Sequence, residues 1–167
     1  MSAAAPSRAG GALATVISLA LWLGASAFFT IVVARAAFRV LPTRTLAGAL
    51  VGGTLPTIFI TGIVACGIGA IAAWSDPAGA PARALRLWAG LAGALLCAAA
   101  QFVVVGRIER LRASLGTTLE ALPPGDPARA AFGRLHALSV GMLGVAMLLG
   151  LLVLVLASRH LLAIGRD

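Results

Sequence analysis

Leu13 to Val33 reads LATVISLALWLGASAFFTIVV, an apolar stretch without a charged side chain. At 1.5 Å per residue, a helix of that length crosses a hydrocarbon core roughly 30 Å thick. A cleaved signal peptide is the rival reading, because Gly24-Ala-Ser-Ala27 resembles a small-residue cleavage site behind an apolar core. The apolar character runs on through Phe28, Phe29 and Ile31, past the length of a signal h-region, and the stretch reads as a retained span. Its helix is expected to continue to Val40 and to stop at Pro42, which cannot donate to the helical ladder.

Three further apolar runs come after it. Leu46 to Trp74 leads into the breaker-rich Asp76-Pro-Ala-Gly-Ala-Pro81, too short for a domain. Leu85 to Val105 comes next, and Trp74 and Trp88 bracket the loop as an interfacial aromatic pair. Beyond it Ile108, Leu111, Leu115, Leu119 and Leu122 recur at three- and four-residue steps, predicting a water-exposed extension of the third helix. Pro123-Pro-Gly-Asp-Pro127 breaks that extension, and Asp126 with Pro127 signals the N-cap and first turn of a fourth helix running to about Ala157. The fold class is therefore all-α: an integral membrane four-helix bundle with spans at about 13–34, 47–74, 85–106 and 136–157. The third and fourth helices extend into a cytoplasmic helical hairpin at about 107–135. One transmembrane domain at 12–158 lies between short tails at 1–11 and 159–167.

Composition agrees: 60% hydrophobic and 11% charged residues, with a mean hydropathy of +1.04, place the chain far from soluble domains. All five acids, Asp76, Glu109, Glu120, Asp126 and Asp167, fall in connections or the tail, leaving no carboxylate inside a span. Proton- and cation-coupled transporters usually need one at that depth. The charge of +8 rests on arginine alone, clustered near span ends, which suits lipid phosphates better than nucleic acid. Cys66 and Cys97 lie within apolar runs and read as packing residues.

Arginines in the first and third loops (Arg35, Arg39, Arg44, Arg107, Arg110, Arg112, Arg129 and Arg134) outnumber Arg8, Arg83, Arg86, Arg159 and Arg166 on the other side. The positive-inside rule then predicts both termini outside, in a cell membrane. Small residues at four-residue spacing are expected to let the helices approach: Gly48 with Gly52, Ala65 with Gly69, Gly90 with Ala94, and Gly133 with Ala137 and Gly141. Pro56 is expected to bend the second span by pushing away the Gly52 carbonyl.

Few polar groups remain at depth. Thr54, Thr57 and Thr61 either re-satisfy the groups freed at Pro56 or line a crevice. Gln101, an amide in hydrocarbon, is expected to bond across to another helix, with structural glue the plainer reading. His136 lies three residues before Ser139 and so shares its helix face. With Arg134, Arg35 and Arg39 it is expected to form a basic pocket at headgroup level for a lipid phosphate, or for a carboxylate of Glu109 or Glu120. The competing reading is arginines that snorkel beside an interfacial histidine.

Leu21-Trp-Leu-Gly-Ala-Ser-Ala-Phe-Phe29, Ala37-Phe-Arg-Val-Leu-Pro42 and Phe132-Gly-Arg-Leu-His-Ala-Leu-Ser139 together resemble an uncharacterised four-span membrane family, domain of unknown function 4149, akin to transmembrane protein 205. The resemblance implies fold and membrane location, and marks Phe132, Arg134, His136 and Ser139 as signature positions without assigning a reaction. Members typically carry an Asn four residues after that Ser, where this chain has Leu143.

Spacing argues against several activities. His136 and His160 lie about 36 Å apart along one helix, too far for two axial haem ligands. Neither cysteine has a thiol partner nearby in sequence, and His136 with Ser139 lacks an orienting carboxylate. The expectation is a non-enzymatic protein without cofactor or metal. It would act by association with the bilayer, an anionic lipid, a homologous copy or another membrane protein, and not with nucleic acid. The alternative is a small-solute or lipid-handling transporter with a polar path along Pro56, Thr57, Thr61, Gln101 and Ser139.

Overall fold

The structure, a computed structural model, describes residues 4–80, 82–115, 119 and 121–165, with side chains from residue 9 onward. It is all-α, and among the described residues there is no strand. The first span is α1 (Ala4–Phe28), a π-helical turn (Phe29–Val33) and α2 (Ala34–Val40) in one continuous rod. The second is α3 (Arg44–Ser75), and the third combines α4 (Arg83–Ala99), a π-helical segment (Ala100–Val105) and α5 (Gly106–Ser114). The fourth is α6 (Pro127–Ile164). All four are long and apolar enough to cross a membrane.

The helix-ending and helix-starting residues act as expected. Leu41, just before Pro42, is extended and ends α2, while the Thr43 hydroxyl caps α3 by accepting the Leu46 N–H. Asp126 caps α6 by accepting from the Ala128 N–H at 2.7 Å, with Pro127 in the first turn. Helix begins as early as Ala4, inside the expected tail. At the other extreme, the third helix stops at Ser114, short of Leu119 and Leu122, and Leu115 is extended. Leu115 and Leu119 keep an apolar role there by folding over a cavity instead of lying along a helix face.

The spans form a square. The first and third each pack on the second and fourth, and among the described residues their backbones do not approach each other. At the centre lies Trp22, whose indole N–H donates to the Ile58 carbonyl at 2.9 Å. Two glycines make room for that ring. A methyl at Gly62 would stand 2.8 Å from the Trp22 ring and the Cys97 Sγ, and one at Gly150 would stand 2.9 Å from the same ring. Cys66 and Cys97 are buried and unpaired, as packing residues.

Some of the small-residue faces close the bundle. A Cβ at Gly90 would meet the Cys66 carbonyl oxygen and the Ala70 nitrogen at 3.0 Å, marking where α3 and α4 backbones come together. Gly69 seats Val153 and Thr15. The face of Gly133, Ala137 and Gly141 stays open: nothing lies within 4 Å of a Cβ at either glycine, and Ala137 is exposed.

Candidate functional site

At the arginine-rich end, α3, α5 and the first turns of α6 splay apart around a cavity of about 550 Å³. Phe38 of α2, Val51 and Leu55 of α3, Val105 and Ile108 from the third span, and Leu115 with Leu119 give it an apolar wall. Two π-helical segments position this wall. Each adds a residue to a turn and so rotates the helix beyond it: Phe38 comes after the first, and Ile108, Glu109 and Arg112 after the second.

The cavity is cationic at its polar edge. Arg112 places its guanidinium 5.1 Å from the centre of the Phe132 ring. On the α3 side the same group lies on the glycine face, where a methyl at Gly52 would come within 3.2 Å of Nη1 and one at Gly48 within 3.8 Å of Nη2. Arg44, the first residue of α3, is also on the lining. Phe132 in turn stacks on His136, with ring centres 6.0 Å apart and planes 8° from parallel.

The structure brings together part of the expected set. Phe132, His136 and Ser139 all line the cavity. Arg35, Arg39 and Arg134 are exposed and absent from its lining, and their place is taken by Arg44 and Arg112. The reason is rotational: one helical face carries Phe132, His136 and Ser139, and Arg134 projects from another. Glu109 lines the cavity yet forms no ion pair with either arginine, and Glu120 lies outside the described residues. The Ser139 hydroxyl is buried and donates to the His136 carbonyl oxygen at 2.8 Å, on its own helix.

The expected polar path does not assemble. Pro56, Thr57, Thr61 and Gln101 are absent from the lining. Thr57 and Thr61 are exposed, and the Thr54 and Thr61 hydroxyls donate to carbonyls of their own helix. Gln101 sits in the π-helical segment with its Oε1 buried and without a hydrogen-bond partner, so the expected bond to another helix is not made.

Sequence reasoning missed a second polar cluster at the opposite end. Asp76, assigned to a loop, is buried, and its Oδ2 accepts from the Arg86 Nη2 at 2.6 Å and lies 3.3 Å from the His160 Nε2. Nearby, Arg83 of α4 donates to the carbonyls of Ala73 and Trp74 and caps α3, with its guanidinium 5.9 Å from the Trp74 ring centre. Trp74 and Trp88 are themselves exposed, as an interfacial pair requires. The usable signal was an acid and an arginine facing across a tight turn. Among the described residues no three His, Cys, Asp or Glu side chains gather to hold a metal.

Residues 17–117 match the family described as a domain of unknown function (DUF4149). The chain belongs to that family. Within this DUF4149 chain the matched segment carries the first span from Ile17 onward and the whole of the second and third, including Trp22, Asp76, Arg86 and Arg112, and ends before the Phe132–Ser139 string of the fourth. No curated protein and no solved structure matches the chain. Membership and four apolar helices make it a multi-pass membrane protein.

Proposed function

We propose that this protein acts without catalysis, by association within the cell membrane, and that its associate is an amphiphile whose apolar part fills the cavity at the arginine-rich end. Both termini lie outside in this reading, so the cavity opens toward the cytoplasmic leaflet. The observation that carries it is the pairing of an apolar wall with a cationic rim in one space of about 550 Å³. Transport receives no such support, because the threonines and Gln101 of the second and third spans do not converge on that space. Catalysis lacks support too, since the Ser139 hydroxyl is directed at a carbonyl of its own helix. A second reading, association with another helix, is favoured by the open Gly133–Ala137–Gly141 face.

One measurement addresses both. Native mass spectrometry of the full chain released from mild detergent should show one retained lipid, and Ala49→Phe, which places a ring in the cavity from an exposed position, should remove it. Equal lipid retention by both proteins rejects the cavity as the seat. A mass of two chains supports the helix-pairing reading.

A further inference from the structure

The cavity's cations are arranged in a way that selects a head group, and resting on the amphiphile reading above, we infer that the ligand is an anionic phospholipid whose phosphodiester is held by Arg112 and Arg44. Arg112 carries the argument. Its guanidinium is flanked by the Phe132 ring on one side and by the Gly48–Gly52 surface on the other, which fixes its position while leaving its donors unspent. Among the described residues neither Arg112 nor Arg44 has a hydrogen bond or ion pair, although Glu109 lies three positions before Arg112 and lines the same cavity. An arginine that ignores an available carboxylate and keeps its fork free is poised for an oxyanion from outside the chain.

The local charge sets the class. Among the described lining residues, two arginines and one glutamate, with His136 neutral, sum to a single positive charge, which matches one phosphodiester. Arg44 opens α3 one turn before Gly48 and lines the same cavity as Arg112. Gly52 is the positioning residue, because a Cβ there already stands 3.2 Å from Nη1 and a branched side chain would crowd the guanidinium. The apolar wall below accepts acyl chain, which a soluble phosphate would leave empty.

The test exchanges the purified full chain against equal amounts of dioleoyl phosphatidylglycerol and dioleoyl phosphatidylcholine and counts adducts by native mass spectrometry. Both lipids carry the phosphodiester, but the choline ammonium of the second brings a further cation to a rim that is already positive, so the glycerol lipid should be favoured by about tenfold. Arg112→Gln should bring that ratio close to one while lipid is still retained. Gly52→Val should lower it with the charge intact, and Arg35→Gln, at an exposed arginine outside the cavity, should leave it unchanged. Unchanged helix content by circular dichroism separates these effects from misfolding. A wild-type ratio near one overturns the anionic assignment and leaves the amphiphile reading standing, whereas absence of both lipids overturns the amphiphile reading itself. Displacement of the glycerol lipid by millimolar inorganic phosphate would assign the arginines to a soluble anion and overturn the lipid source.

Discussion

Asp76 shows how much one side chain can change the account of a chain. Its position after Ser75 and before Pro77 places it in a turn, and turns are ordinarily wet. The antiparallel meeting of the second and third spans folds it inward instead, onto Arg86 and toward His160, all three buried. Neither hydropathy nor periodicity marks that inversion, because His160 lies far along the chain and meets the pair only when the fourth span packs back. Removing one member of a buried ion pair strands the other, at a cost of about 3–5 kcal/mol, while replacing both with apolar residues is often neutral. Asp76→Ala should therefore lower the thermal midpoint in detergent, monitored by Trp fluorescence, far more than the Asp76→Leu/Arg86→Met double substitution. If the double variant melts as low as the single, the ion pair is not the source of the loss.

At the scale of the element, the long helices are legible in the sequence and their faults are not. Unbroken apolar runs force backbone groups to bond within the helix, so the existence and order of the spans come from hydropathy alone. A π-helical segment differs from an α-helix by a single added residue, and no side-chain type in Ala100-Gln-Phe-Val-Val-Val105 announces it. Its effect is nonetheless large for the site, since it sets the rotation of α5 and so decides whether Arg112 reaches the α3 glycines. The same uncertainty of rotation is why sequence proximity groups Arg134 with His136 and leaves Arg112 out. Deleting Phe102, which is exposed, should restore α-helical winding and turn α5 by about 100°. The expected outcome is a protein with normal helix content that has lost its preference for phosphatidylglycerol over phosphatidylcholine. A deletion variant that keeps the preference would show that the π-helical segment does not aim Arg112.

For the molecule as a whole, the folded charges sharpen an asymmetry that counting arginines leaves shallow. At the tryptophan end Arg86 is buried and paired with Asp76, and Arg83 keeps its charge while donating to carbonyls of α3. At the other end Arg35, Arg39, Arg44, Arg107, Arg110, Arg112 and Arg134 are exposed, and none has an ion pair among the described residues. The excess of arginine near the span ends on this side sets orientation, so the loops at 41–43 and 115–126 are expected on the cytoplasmic side. The bundle supplies a clean assay, because Cys66 and Cys97 are buried between helices and give a silent background to a membrane-impermeant maleimide. Exposed Ser114 and Ala78 mark the two ends. Ala78→Cys should be labelled on intact cells, and Ser114→Cys only after the membrane is opened. The reverse pattern would place the cavity's end outside, where the leaflet's charge no longer argues for the proposed anionic ligand, and would tie the arginines to a different surface.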